Sequence, residues 1–340
     1  MSVKSWRLPV AWLHPPKTGS SFGLTVYRHA CADIPEHADV GCLPPIFGLT
    51  QPFPIRQHCV GGFTSSYRVD MHHPSNLIED YGRLLAMLRA PELQKASLLS
   101  FVEKLATDSS YTHQCSVVCE APMTTSGLPE AVARQACEAA RSGKKLELMQ
   151  LVLPFMRGCQ AKMLHGYPCF HPMATPELEA MQRLTAARVP GAFAFVGLTE
   201  RWVESICLFH FLLEQGRPPV PREFKNTRPT MTSDARHRRV LSRVDEWSVV
   251  AGDNSDVRGW LLQDRWDGLL FDLATRSFNR RLTAALNQSQ WVETCMRRHS
   301  LGDQVIREDP AEAGVAPKNR QFLPVRPGVP LTRIVNGSFS

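Results

Sequence analysis

The 340-residue chain contains no uninterrupted apolar run of about 18 residues, the length a membrane-spanning helix requires. Its opening stretch, MSVKSWRLPVAWLHPPK, holds an apolar patch too short for a signal-peptide core. As written, the chain is expected to be soluble and to carry no membrane segment. It has no CxxC pair and no zinc-type spacing of Cys and His, so no metal site is expected. It has no internal repeat. Its basic clusters, RHRR (236–239) and NRR (279–281), are too short for a nucleic-acid tail, and no nucleic-acid partner is expected. It also lacks the GxxxxGK[ST] signature of nucleoside-triphosphate P-loops, which weakens a kinase or ATPase reading.

What is present is ordinary globular composition, 43% hydrophobic and 21% charged, in a chain long enough for a large core. The net charge of +7 is mild support for an anionic ligand. Ten cysteines permit disulfides, but a chain of this size does not need them to fold, and several are expected to be plain core residues. Cys115 and Cys119 are four apart and able to share a helix face.

The organisation reads as strands alternating with helices. Short apolar runs at 8–13, 81–89 and 191–198 read as strands, with a further alternating one at 63–73. Helices are expected from Ser20 to Cys31, over 91–108 with proline in the first turn, through most of 128–165, and over 199–216 and 266–288. Segments 32–60 and 217–236 read as loops able to rim a ligand site. This order predicts an α/β fold with a mainly parallel sheet over residues 1–300, followed by an irregular tail at 301–340.

The first strand leads into LHPPKTGSSF (13–22) and then a helix. A strand-to-helix turn presents unpaired amides at the positive end of the helix dipole, which suits an anion. Lys17 adds a full charge, Gly19 permits close backbone approach, and Thr18, Ser20 and Ser21 add hydroxyl donors. Simple helix capping explains the hydroxyl residues equally well. Further on, LRAPELQKAS places Arg89 at a strand end and Ser97 on the following helix, where both are able to donate to one phosphate.

HPPKTGSS resembles the 5′-phosphosulfate loop of the Golgi-type carbohydrate sulfotransferases of the heparan and chondroitin kind, through His14, Pro16, Lys17, Thr18, Ser20 and Ser21. These enzymes use 3′-phosphoadenosine 5′-phosphosulfate (PAPS). The Arg89, Pro91 and Ser97 spacing resembles the family's 3′-phosphate motif, although Ala90 stands for the usual aspartate and Gln94 for a second arginine. RGCQAKMLHG (157–166) is similar to a further family segment, keeping Gln160, Leu164 and Gly166 with Lys162 in place of arginine. VGLTE (196–200) and WDGLLFDLATRSF (266–278) resemble two more, so the likeness spans about 8–285.

The resemblance implies a P-loop-NTPase-like parallel sheet with helices on both faces, and sulfuryl transfer from PAPS to a hydroxyl, expected to lie on a glycan. It makes Lys17 to Ser21, Arg89 and Ser97 the PAPS contacts, with Lys17 also catalytic. The base falls in VDMHHPSN (69–76), with His72 placed as in the family and its neighbour His73 as the alternative; the family's glycine is Met71 here. Glu200 is a third candidate base, also explained as a helix-start acid. His14 is expected to position the loop. The rival readings are a P-loop-like kinase using ATP and a non-catalytic anion-binding scaffold of the same fold. The family implies the Golgi lumen behind an N-terminal anchor; without one, the cytoplasm is expected. Acceptor and oligomeric state are not legible.

Overall fold

Short continuous apolar runs fold as strands when both faces are covered, and this is how the sheet arises. The computed structural model describes residues 10–18, 22–30, 74, 80–107, 119–224 and 236–305. Among them the chain is mostly helical around a three-stranded parallel sheet, in the order β1-β2-β3. In chain order, β1 (Ala11–Leu13) leads to α1 (Gly23–Ala30), and β2 (Leu84–Leu88) to α2 (Pro91–Thr107). Next come α3 (Ala121–Thr125), α4 (Glu130–Arg141), α5 (Lys145–Met156), α6 (Cys159–Leu164) and α7 (Thr175–Ala192). β3 (Phe193–Leu198) follows directly, then a 3-10 turn (Thr199–Arg201) and α8 (Trp202–Leu213). The chain continues through a second 3-10 turn (Pro221–Phe224), α9 (Arg236–Ala251), α10 (Ser255–Leu262), α11 (Arg265–Gln288) and α12 (Gln290–Val305).

The strand register pairs Leu13 with Ala86 and Leu88 with Leu198, so all three strands end on the same edge. Alternate side chains enter two separate cores, as the period of two demands. Leu13, Leu84, Ala86 and Leu88 join the core built with α2, α4 and α5, through residues such as Leu99 and Val152. Trp12, Leu85, Met87 and Phe195 join the other, with Phe22, Phe209 and Phe278. Gly197 is fixed by close approach: a Cβ there would run into Met87 Sδ and Ser205. Ser205 in turn accepts from Leu198 N–H at 2.9 Å and donates to Leu198 O at 3.1 Å, which locks the turn after β3.

The expected strand at 63–73 lies outside the described residues. Helices α3, α7, α9, α10 and α12 were not expected. α9 begins in the RHRR cluster, and α12 runs on to Val305, into the segment read from sequence as irregular. The chain divides into two compact units, Met1–Ser300 and Leu301–Ser340, and every site residue below belongs to the first.

Among the described residues six cysteines form disulfides: Cys119–Cys137, Cys159–Cys169 and Cys207–Cys295. The sequence permitted disulfides without indicating their pattern, and the structure supplies these three pairs. Cys119 is bonded to Cys137 on α4, and Cys115 lies outside the described residues. Among the described residues no helix is long and apolar enough to cross a membrane.

Candidate functional site

The shared carboxyl edge of three parallel strands is where open α/β sheets place ligands. Three segments meet there: His14 to Thr18 after β1, Arg89 after β2, and the Thr199–Arg201 turn after β3. Thr18 folds the first segment back, its hydroxyl donating to Pro15 O at 2.8 Å. Lys17 sits at the turn with a φ of 64°, a left-handed conformation uncommon outside glycine. His14 stacks on Trp12 with ring centroids 4.3 Å apart, consistent with a role in shaping the loop.

Arg89 ties the segments together. Its Nη1 donates to Lys17 O at 3.1 Å, and its Nε lies 3.9 Å from Glu200 Oε1. Glu200 Oε1 also accepts from Ala90 N–H at 3.1 Å, and Thr199 Oγ1 donates to Leu88 O at 3.1 Å. Glu200 thus braces the end of β2 from the neighbouring strand, and the short Ala90 leaves its own amide to that carboxylate. Burial lowers the Arg89 pKa, Glu200 opposes that shift, and the charge of Arg243 on α9 adds to it. Burial likewise raises the Glu200 carboxyl, with Arg89 opposing. Arg89 Nε is buried and makes no hydrogen bond among the described residues.

One face of α2 lies against the loop. Gln94 donates to Pro16 O at 2.8 Å, and seven residues on the Phe101 ring lies 4.3 Å from Lys17 Nζ. Ser97 falls between them on the helical period and is buried. Gln94, which stands where the resemblance places an arginine, therefore braces the loop through a neutral hydrogen bond.

Behind this edge lies a charged support that sequence reasoning missed. Lys95 is fully buried, its Nζ 2.9 Å from Asp264 Oδ2 and donating to Trp260 O at 2.6 Å. Asp264 Oδ2 also accepts from Gly158 N–H at 2.9 Å. Asp267 caps the start of α6, accepting from Gln160 N–H at 3.1 Å and Ala161 N–H at 2.8 Å. Burial, followed by the charge of Asp264, pushes the Asp267 carboxyl up to about 7. Asp264 moves the other way: burial opposes, but the charge and hydrogen bond of Lys95 hold it below its ordinary value.

Lys162, aligned by resemblance with a family arginine, does not face the strand edge. Its ammonium is buried on Phe155 O and His171 O, at 2.6 and 2.9 Å, and burial lowers its pKa to about 8.

Of the expected site residues, Lys17, Thr18, Arg89 and Ser97 lie in the loop, the strand end and the helix face that meet at this edge. Gly19, Ser20, Ser21, His72 and His73 lie outside the described residues. No protein-family model matches the chain, and neither a curated protein nor a solved structure is significantly similar to it.

Proposed function

We propose that the chain is a PAPS-dependent sulfotransferase with a P-loop-like sheet, transferring a sulfuryl group to a hydroxyl, with a glycan as acceptor. The observation that carries this reading is the partly buried Arg89, whose Nε is itself out of contact with solvent. Its Nε lacks a hydrogen-bond partner among the described residues, and its Nη1 is joined to the main chain of the Lys17 loop. A partly buried guanidinium with an unused donor, bonded to the main chain of a lysine-bearing loop at a strand edge, is suited to a phosphate-bearing ligand.

In this reading, loop residues 17–21 hold the 5′-phosphosulfate and Lys17 stabilises charge on the leaving oxygen. Arg89 and Ser97 hold the 3′-phosphate. His72, or His73 in its place, takes the acceptor proton. The bond from the acceptor oxygen to sulfur forms as the bond from sulfur to the 5′-phosphate oxygen breaks. Glu200 is a brace for Arg89 rather than the base, because its Oε1 is engaged by Ala90 N–H and faces Arg89. No metal enters this scheme.

The three disulfides support an oxidising compartment, and hence the Golgi lumen over the cytoplasm. The scaffold reading also draws on an observation: Arg89 already has protein partners in Lys17 O and Glu200.

Calorimetry with PAPS and ATP, followed by labelled-sulfate transfer to a panel of glycans read by mass spectrometry, tests all three readings. Sulfotransferase activity requires a PAPS preference and a sulfated product. Equal or tighter ATP binding favours the kinase. PAPS binding with no transfer to any acceptor favours the scaffold.

A further inference from the structure

Arg89 is the first residue beyond β2, so its main chain has left the strand ladder. Its main-chain groups are nevertheless paired. Arg89 N–H donates to Gln160 Oε1 at 3.1 Å, and Gln160 Nε2 donates back to Arg89 O at 2.8 Å. One side-chain amide thus does what a neighbouring strand residue would do, at the point where the sheet ends. Gln160 is 1% exposed and is itself held in place. Its own N–H rests on Asp267, Gly158 before it rests on Asp264, and Cys159 beside it is bonded to Cys169.

We infer that Gln160 is a positioning residue: by pairing both main-chain groups of Arg89 it fixes where β2 releases that arginine, and through it the preference for a 3′-phosphate. The inference rests on the reading of Arg89 as the 3′-phosphate ligand. Glutamine suits the task because one planar group carries both a donor and an acceptor. An ionised glutamate at the same position keeps the acceptor for Arg89 N–H but turns a second acceptor toward Arg89 O. A protonated glutamate regains a donor.

The test is calorimetric binding of adenosine 3′,5′-bisphosphate and adenosine 5′-monophosphate to the full disulfide-bonded chain, with thermal unfolding measured alongside. The unaltered protein should prefer the bisphosphate. Gln160→Ala should lower that preference about tenfold, on the scale of one charge-assisted hydrogen bond, while monophosphate affinity changes less than about twofold. Gln160→Glu should lose the preference at high pH and recover it, relative to the unaltered protein at the same pH, as pH falls and the buried carboxyl takes up its proton. A role confined to packing gives no such recovery.

A retained preference in Gln160→Ala, equal loss for both nucleotides, or no recovery in Gln160→Glu overturns the inference alone. Absence of any preference in the unaltered protein overturns the reading of Arg89, and the inference with it.

Discussion

The guanidinium of Arg89 donates to the main-chain carbonyl of Lys17 at 3.1 Å, across a gap of 72 residues in sequence. The end of β2 and the loop after β1 are therefore tied together by a side chain. If that junction reads the nucleotide, Arg89→Ala and Ser97→Ala should each weaken PAPS binding by a charge-assisted bond, about 1.5–3 kcal/mol. Binding of an analogue lacking the 3′-phosphate should change little. Calorimetry decides this, and an equal loss for both ligands would make the pair a support of the fold alone.

Lys17 tests the chemistry rather than the binding. Its Nζ lies 4.3 Å from the Phe101 ring, which holds the ammonium at the loop. Lys17→Ala should cut turnover about 10²-fold or more, the scale of one lost transition-state charge contact. Near-normal turnover in a folded Lys17→Ala protein would remove it from the mechanism.

The base is tested at His72 and His73. His72→Ala should lose about 10²–10⁴-fold in rate, with PAPS affinity nearly unchanged. On this reading, transfer by the unaltered protein should slow below a pH of about 6.5, where an ordinary imidazole protonates. If His73→Ala is inactive and His72→Ala works, the role moves one residue along. If both work, no histidine of this segment is the base.

Asp267 gives a pH dependence of stability. Its carboxyl is raised to about 7 by burial and by the charge of Asp264, from a value of 3.8 in the unfolded chain. Between those values the folded chain holds a proton that the unfolded chain lacks. The resulting stabilisation is complete below the unfolded value and is lost as pH rises through the folded one. Asp267→Asn removes this titration and leaves Asp264 in place. The stability of the unaltered protein relative to Asp267→Asn should therefore decline from pH 5 to pH 8 in urea unfolding. A difference that stays constant with pH would rule the titration out.

The three described strands were legible because a strand buried on both faces reads as a short apolar run, as in LLAMLR and GAFAFVGL. β2 and β3 are shorter than the runs at 81–89 and 191–198, starting at Leu84 and Phe193, and Arg89 lies just past the last paired residue of β2. α9 was missed because its first turn is RHRR, a charge cluster without apolar periodicity. Arg89 and Lys17 were each singled out in the sequence as candidate anion contacts, and the structure joins them at one strand edge. Their supports were not legible, since Gln160, Asp264 and Asp267 act through main-chain groups that any residue supplies. The disulfides were equally silent: Cys207 and Cys295 are 88 residues apart, and only the packed helices α8 and α12 bring them together.

The pairing of parallel strands also governs when this edge comes into being during synthesis. Arg89 meets Lys17 across 72 residues, and Ala90 meets Glu200 across 110. A growing chain therefore cannot assemble the edge until the segment beyond residue 200 has left the ribosome. Long loops must close before any of these contacts is gained, which slows folding relative to a locally connected helical bundle. A nascent fragment that ends between residues 90 and 199 carries the Lys17 loop and the arginine that anchors it, but not the acid that braces the end of β2. On the proposed reading, an anion site at this edge is complete only once the segment carrying Glu200 has been added.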